Sequence, residues 1–243
     1  MKGYLSALSP AARLTVWKVL AISLLAAGAQ VLLLHVGLRG WDFDSSGTPV
    51  LEAAVQMGKL SLAFGAGLLL VCAVLVLPGL ERGAKTGYTI RRLAADERVV
   101  VVLWGGLNAL LLLIFWGIQA AAALALSRYY FQTVMADTAN QQSLFIAFSR
   151  SPYLHALLPL WDWPAMVRNV LCCVTLGMSS ASLSFHWRHG RKAWTLLPLA
   201  VLAAVLFPSG MDGGTVTGIG LIVLGAALVL MIFNVWRCHE DEE

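Results

Sequence analysis

The side chains able to bind, activate or transfer a group are few in this chain, and they do not gather into a catalytic set. There is no G-x-S-x-G element to present a nucleophile and no H-E-x-x-H pair to hold a catalytic metal. His186 and His189 stand three apart and Cys238 adjoins His239, but neither pair supplies the ligands a structural zinc site needs. They read as basic interfacial residues and a stray thiol. The segment Gly79-Leu-Glu-Arg-Gly83-Ala-Lys85-Thr86 approaches a phosphate-binding loop, yet its glycines are four apart, not five, and Ala84 separates Gly83 from Lys85. Such a loop also follows a buried strand, whereas this one follows an apolar run. The chain is therefore expected to have no catalytic residue, no metal and no nucleotide of its own. An integral-membrane enzyme would need convergent titratable groups, and no such cluster is visible.

The elements that must position the remaining polar groups follow from composition. Of 243 residues, 59% are apolar and only 12% are charged, and the mean hydropathy is +0.77. A soluble domain carries about twice that charge, and a disordered chain needs low hydrophobicity. Both classes are excluded, leaving an all-α polytopic membrane protein. A crossing takes about 20 apolar residues. Six stretches qualify, at about 14–38, 60–80, 99–126, 163–185, 193–207 and 215–235, the fifth being short. They form one transmembrane domain over residues 1–243. Pro10 after Ser9 reads as a helix start, and residues 39–58 as a polar loop. Residues 127–162 form an external loop with an amphipathic helix broken at Pro152. That helix reads as a vestibule wall at the outer interface or as a layer packed on the bundle. Asp162 and Pro164 supply an N-cap and a first-turn proline for the fourth span.

Orientation follows the basic residues. Lys2, Arg13, Lys18, Arg82, Lys85, Arg91, Arg92, Arg98, Arg188, Arg191, Lys192 and Arg237 fall on one side. They are twelve of the 17 basic residues; only Arg39, Lys59, Arg128, Arg150 and Arg168 fall on the other. Both termini are therefore expected in the cytoplasm, with the protein in the cell membrane. The net charge of +4 is explained by these short loops and by anionic lipid, not by nucleic acid. The four cysteines make no disulfide framework or zinc pattern.

No Asp or Glu lies inside any of the six expected spans. Ion-coupled carriers bind and release their driving ion at intramembrane carboxylates or broken-helix sites. Uphill transport by this chain would thus need energy from outside it. Three regions hold candidate functional residues. In the 81–98 connector, Ile90 and Leu93 can share one face of a short helix, with Tyr88 nearby and Arg91 and Arg92 flanking it. Such a face suits a groove on a soluble partner; a basic loop lying on the leaflet is the alternative. In the third span, Asn108 and Gln119 are 11 residues apart, close to three turns, and share a face with Phe115. An amide in lipid needs a partner, so this face either packs against another helix or lines a path. In the fourth span, Arg168 and Asn169 lie near the outer interface. Arg168 either snorkels outward or meets an anionic group. Gly177 with Ala181, and Gly214 with Gly218, are small-xxx-small pairs that favour close helix contact.

Two segments carry a resemblance: GAKTGYTIRRLAADERVV before the third span and AFSRSPYLHALLPLWDWPAMVRN before the fourth. With six spans and cytoplasmic termini, the chain resembles the ABC-2 type permease subunits of ABC transporters, in particular small permease-like proteins of Gram-positive gut bacteria. The resemblance implies a coupling helix at Tyr88–Leu93 docking on a separate nucleotide-binding ATPase subunit, where ATP and Mg would bind. It also implies a second permease subunit, identical or different. Asn108, Phe115, Gln119, Arg168 and Asn169 would then face the translocation path or the subunit interface. Amphipathic peptides, lipids or hydrophobic drugs would be exported. Many such exporters carry external helices between spans five and six; here that connection is only PSGMDGG, which leaves the cargo open. A non-transporting membrane scaffold or sensor is the competing expectation.

Overall fold

A computed structural model describes residues 2–39, 50–80, 97–134, 141–159, 162–188, 195–207 and 214–240. Every regular element among them is a helix: α1 (Lys2–Arg39), α2 (Leu51–Met57), α3 (Leu60–Leu80), α4 (Glu97–Thr133), α5 (Gln141–Arg150), α6 (Pro152–Leu157), α7 (Trp163–Arg188), α8 (Leu196–Leu206) and α9 (Gly214–Glu240). Five of them, α1, α3, α4, α7 and α9, are long and apolar enough to cross a membrane. Helices dominate because lipid offers backbone groups no partners, so each segment must satisfy its own.

Several boundaries differ from those read in the sequence. The first helix does not begin at Pro10 but runs through it from Lys2; the proline removes one bond from the ladder, while alanine and leucine on both sides favour helix. Residues 51–57 of the expected polar loop are helical, because Leu51, Ala54 and Val55 bury one face. The turn out of α2 holds Lys59 at φ 48°, the left-handed region. Helix α4 continues past the expected end at 126 to Thr133. At 1.5 Å per residue its 37 residues span about 55 Å, well beyond a hydrocarbon core of about 30 Å. Its last turns are retained because Tyr130 and Phe131 are buried with Phe148 and Tyr153 in one apolar core. The amphipathic stretch splits at Pro152 into α5 and α6, and Ala147, Phe148, Tyr153, Leu154 and Leu157 are buried. Its apolar face thus packs on the bundle. The fifth expected span is an 11-residue helix, α8, about 16 Å long.

Helix directions follow from contacts at matched levels. A Cβ on Gly67 would meet Ala26 at 2.9 Å and Phe115 at 3.2 Å, and Gly37 of α1 abuts Gly58 before α3. Thus α1 and α3 are antiparallel. Gln30 bonds Gln119, four residues beyond the Ala26–Phe115 level on both helices, so α1 and α4 run parallel. The Asn108–Ser180 bond, together with Trp116 and Asn169 reaching the adjacent Leu157 and Ala156 carbonyls of α6, sets α7 antiparallel to α4. Gly220 lies against Arg168, and Thr175 reaches the Leu224 carbonyl, so α9 runs parallel to α7. The chain between two parallel helices must travel back along the bundle, and α8 lies on that return. Phe64 ties the far end together, with its ring 5.0 Å from Phe207, 5.5 Å from Phe115 and 6.4 Å from Tyr153.

Candidate functional site

Several polar side chains inside the bundle form interhelical bonds. Asn108 of α4 donates through Nδ2 to Ser180 Oγ of α7 at 2.7 Å, and Ser180 donates in turn to the Gly177 carbonyl at 2.7 Å. Eleven residues further along α4, Gln119 Nε2 donates to the Ser23 carbonyl of α1, and Gln30 Nε2 donates to Gln119 Oε1, both at 2.8 Å. Phe115, between the two amides, is fully buried. Near the α5–α6 layer, Asn169 Nδ2 donates to the Ala156 carbonyl and Trp116 Nε1 to the Leu157 carbonyl, each at 2.8 Å. Asn108, Gln119 and Asn169 are therefore engaged in packing within one chain. Arg168 and Asn169 meet directly, Nη2 to Oδ1 at 3.4 Å. The structure does not unite them with Asn108, which bonds at Ser180, twelve residues further along α7.

Ser23 and Gln30 were not singled out in the sequence. Their separation of seven residues, two helical turns, was a usable signal, because it places both polar groups on the buried stripe with Val19, Ala26 and Leu34. Gln30 Oε1 and Ser179 Oγ are buried without a hydrogen-bond partner. Asp162 caps α7 as expected, accepting from the Ala165 amide at 3.2 Å. Among the described residues no group of three His, Cys, Asp or Glu could hold a metal ion. Tyr88, Ile90, Arg91, Arg92 and Leu93 lie outside the described residues.

A second feature lies on the other side of α7. Between α7, α8 and α9 is an apolar crevice of about 230 Å³, with Arg168 and Asn169 as its polar members. Leu202, Ile219 and Val223 line it and are also exposed at the bundle surface, so it opens sideways. The Arg168 stem crosses Gly220, whose missing Cβ would lie 3.6 Å from Cδ. No sequence signal pointed to this crevice, because its walls come from three helices whose pairing is tertiary.

The geometry defines a class, a helical multi-pass membrane protein whose buried polar side chains, among the described residues, are amides, hydroxyls and the His186 imidazole. No protein-family model, curated protein or solved structure matches the chain.

Proposed function

We propose that the chain is the permease subunit of an ATP-driven transporter of the ABC-2 type, exporting amphipathic or hydrophobic cargo across the cell membrane. A separate nucleotide-binding ATPase would supply the energy, and a second permease subunit would complete the complex. The observation that carries this reading is the parallel course of α7 and α9, set by the Arg168–Gly220 and Thr175–Leu224 contacts. It supports six passages, α8 contributing to the fifth, with the start of α1 and the end of α9 on one side. That side holds most of the basic residues, which makes it cytoplasmic. The α3–α4 connector, with Tyr88, Ile90, Arg91, Arg92 and Leu93, falls there too and would form the coupling helix. The spans lack any carboxylate, so an ion gradient has no obvious handle.

The reading is tested by purifying a tagged chain from its native membrane. A nucleotide-binding subunit should accompany the wild type and be lost from the Ile90→Asp/Leu93→Asp variant. A wild-type preparation free of any ATPase subunit removes the proposal. One observation favours a second reading, a non-transporting scaffold: Asn108, Gln119 and Asn169 are used for packing within the chain. Cargo-stimulated ATP hydrolysis by the purified complex would decide against the scaffold.

A further inference from the structure

We infer that the crevice between α7, α8 and α9 binds one bilayer lipid with an anionic phosphodiester headgroup, its acyl chain in the crevice and its phosphate on Arg168. The inference is independent of whether the chain transports anything.

Arg168 lies five residues beyond Trp163, the exposed tryptophan that opens α7. Tryptophan of this kind marks the membrane–water interface. At 1.5 Å per residue the arginine backbone sits about 7 Å along the helix from that ring's residue. A guanidinium there must be paired or must reach outward. Its hydrogen-bond partner among the described residues is the neutral Asn169 amide at 3.4 Å, and no carboxylate there pairs with it. Asp162, the acid that opens α7, accepts from the Ala165 amide instead. The stem lies across Gly220 of α9, which keeps the cation at the crevice. A guanidinium offers two parallel donors that match phosphate oxygens.

The rest of the crevice is aliphatic and aromatic, from Leu199, Leu202, Phe207, Ile219 and Val223. Its volume of about 230 Å³ is below the roughly 300–1,000 Å³ of sites that enclose a small molecule. It suits a ligand that leaves part of itself outside, as a lipid chain does when the remainder stays in the bilayer. The sideways opening at Leu202, Ile219 and Val223 gives that ligand its route.

The test is native mass spectrometry of the full-length, delipidated protein titrated with phosphatidylglycerol and phosphatidylcholine of identical acyl chains. Wild type should retain phosphatidylglycerol about fivefold better, the effect of one basic residue at a membrane surface. Arg168→Gln should equalise the two lipids, Arg168→Lys should keep part of the preference, and Val223→Trp, filling the rim, should weaken retention of both. Millimolar inorganic phosphate should not displace the lipid. Equal retention of the two lipids by wild type overturns the inference even if Arg168→Gln does not fold. So does a preference that survives in Arg168→Gln, displacement by inorganic phosphate, or a second copy of the chain occupying the surface with no lipid bound.

Discussion

Helix α7 is held on its two sides by contacts of different kinds. Toward α4 the backbones come close: a Cβ on Gly177 would lie 2.7 Å from Ala109 Cα, and one on Gly105 would lie 3.2 Å from Met178 Cα. The Asn108–Ser180 bond lies in the same seam. Toward α9 the fit is open, with a crevice at one end and, for a Cβ on Gly220, no approach nearer than the Arg168 side chain at 3.6 Å. In their spanning stretches 61% of α7 is buried but only 11% of α9. In lipid there is no hydrophobic drive to bring helices together, so close packing and hydrogen bonds must do it. The α4–α7 seam has both. The α9 side has little of either, which leaves it free to meet lipid or another chain.

The largest expected effect breaks the tight side. Gly177→Leu would drive atoms into the Ala109 backbone, which cannot yield as a flexible side chain can, and should cost about 3 kcal/mol or more. Gly225→Leu, facing open space, should cost nothing and gain up to about 1 kcal/mol. Unfolding of both variants in mixed micelles measures the pair, and equal losses would erase the contrast drawn above. Next is Gln119→Leu, which strands Gln30 and the Ser23 carbonyl and should cost about 1–2 kcal/mol. The Gln30→Leu/Gln119→Leu pair should recover much of that loss, because removing both partners leaves no orphan between them. A double-mutant cycle without coupling would show that the amides do not hold α1 to α4.

Tyr153 sharpens the comparison at the α5–α6 layer. Burial pushes its phenol above the ordinary value near 10, and its hydroxyl has no hydrogen-bond partner. The native state therefore keeps a proton that the unfolded chain gives up above pH 10. The associated stability is complete below that pH and is lost as pH rises toward the folded value. Tyr153→Phe should be neutral or mildly stabilising at pH 8 and should gain about 1 kcal/mol over wild type one unit above pH 10. Melting midpoints at the two pH values check it; a difference that does not grow with pH refutes the assignment. The smallest effect is Gly225→Ala, where relief of glycine's low helix propensity should raise stability by up to about 1 kcal/mol. The same change at Gly177 should lower it.

The sequence made some elements legible down to their ends. Leu60–Leu80 was bounded by its apolar run, and the start of α7 by Asp162 and Pro164. It did not reveal α2, because a seven-residue helix inside a polar loop has too few turns to show a period. It ended the third span where apolar character falls at Ser127, whereas Tyr130 and Phe131 extend α4 by burial against distant residues. It ranked Gly177 and Gly218 as equivalent small residues, although only the first is in contact with another helix. The polar face of α4 was read correctly as a face that needs partners; which helices supplied them was not readable.

Composition and spacing alone determined that this chain lives in a bilayer, that its spans hold no acid, and where its amides and its arginine fall along each helix. Those properties are local, set by the free energy of moving each side chain from water to hydrocarbon. Only the tertiary structure decided that Gln119 meets Gln30, that Asn108 meets Ser180, and that Arg168 lies across α9 beside a crevice. Helix association in lipid depends on shape and on hydrogen-bond pairing between surfaces. Neither exists until the helices are side by side.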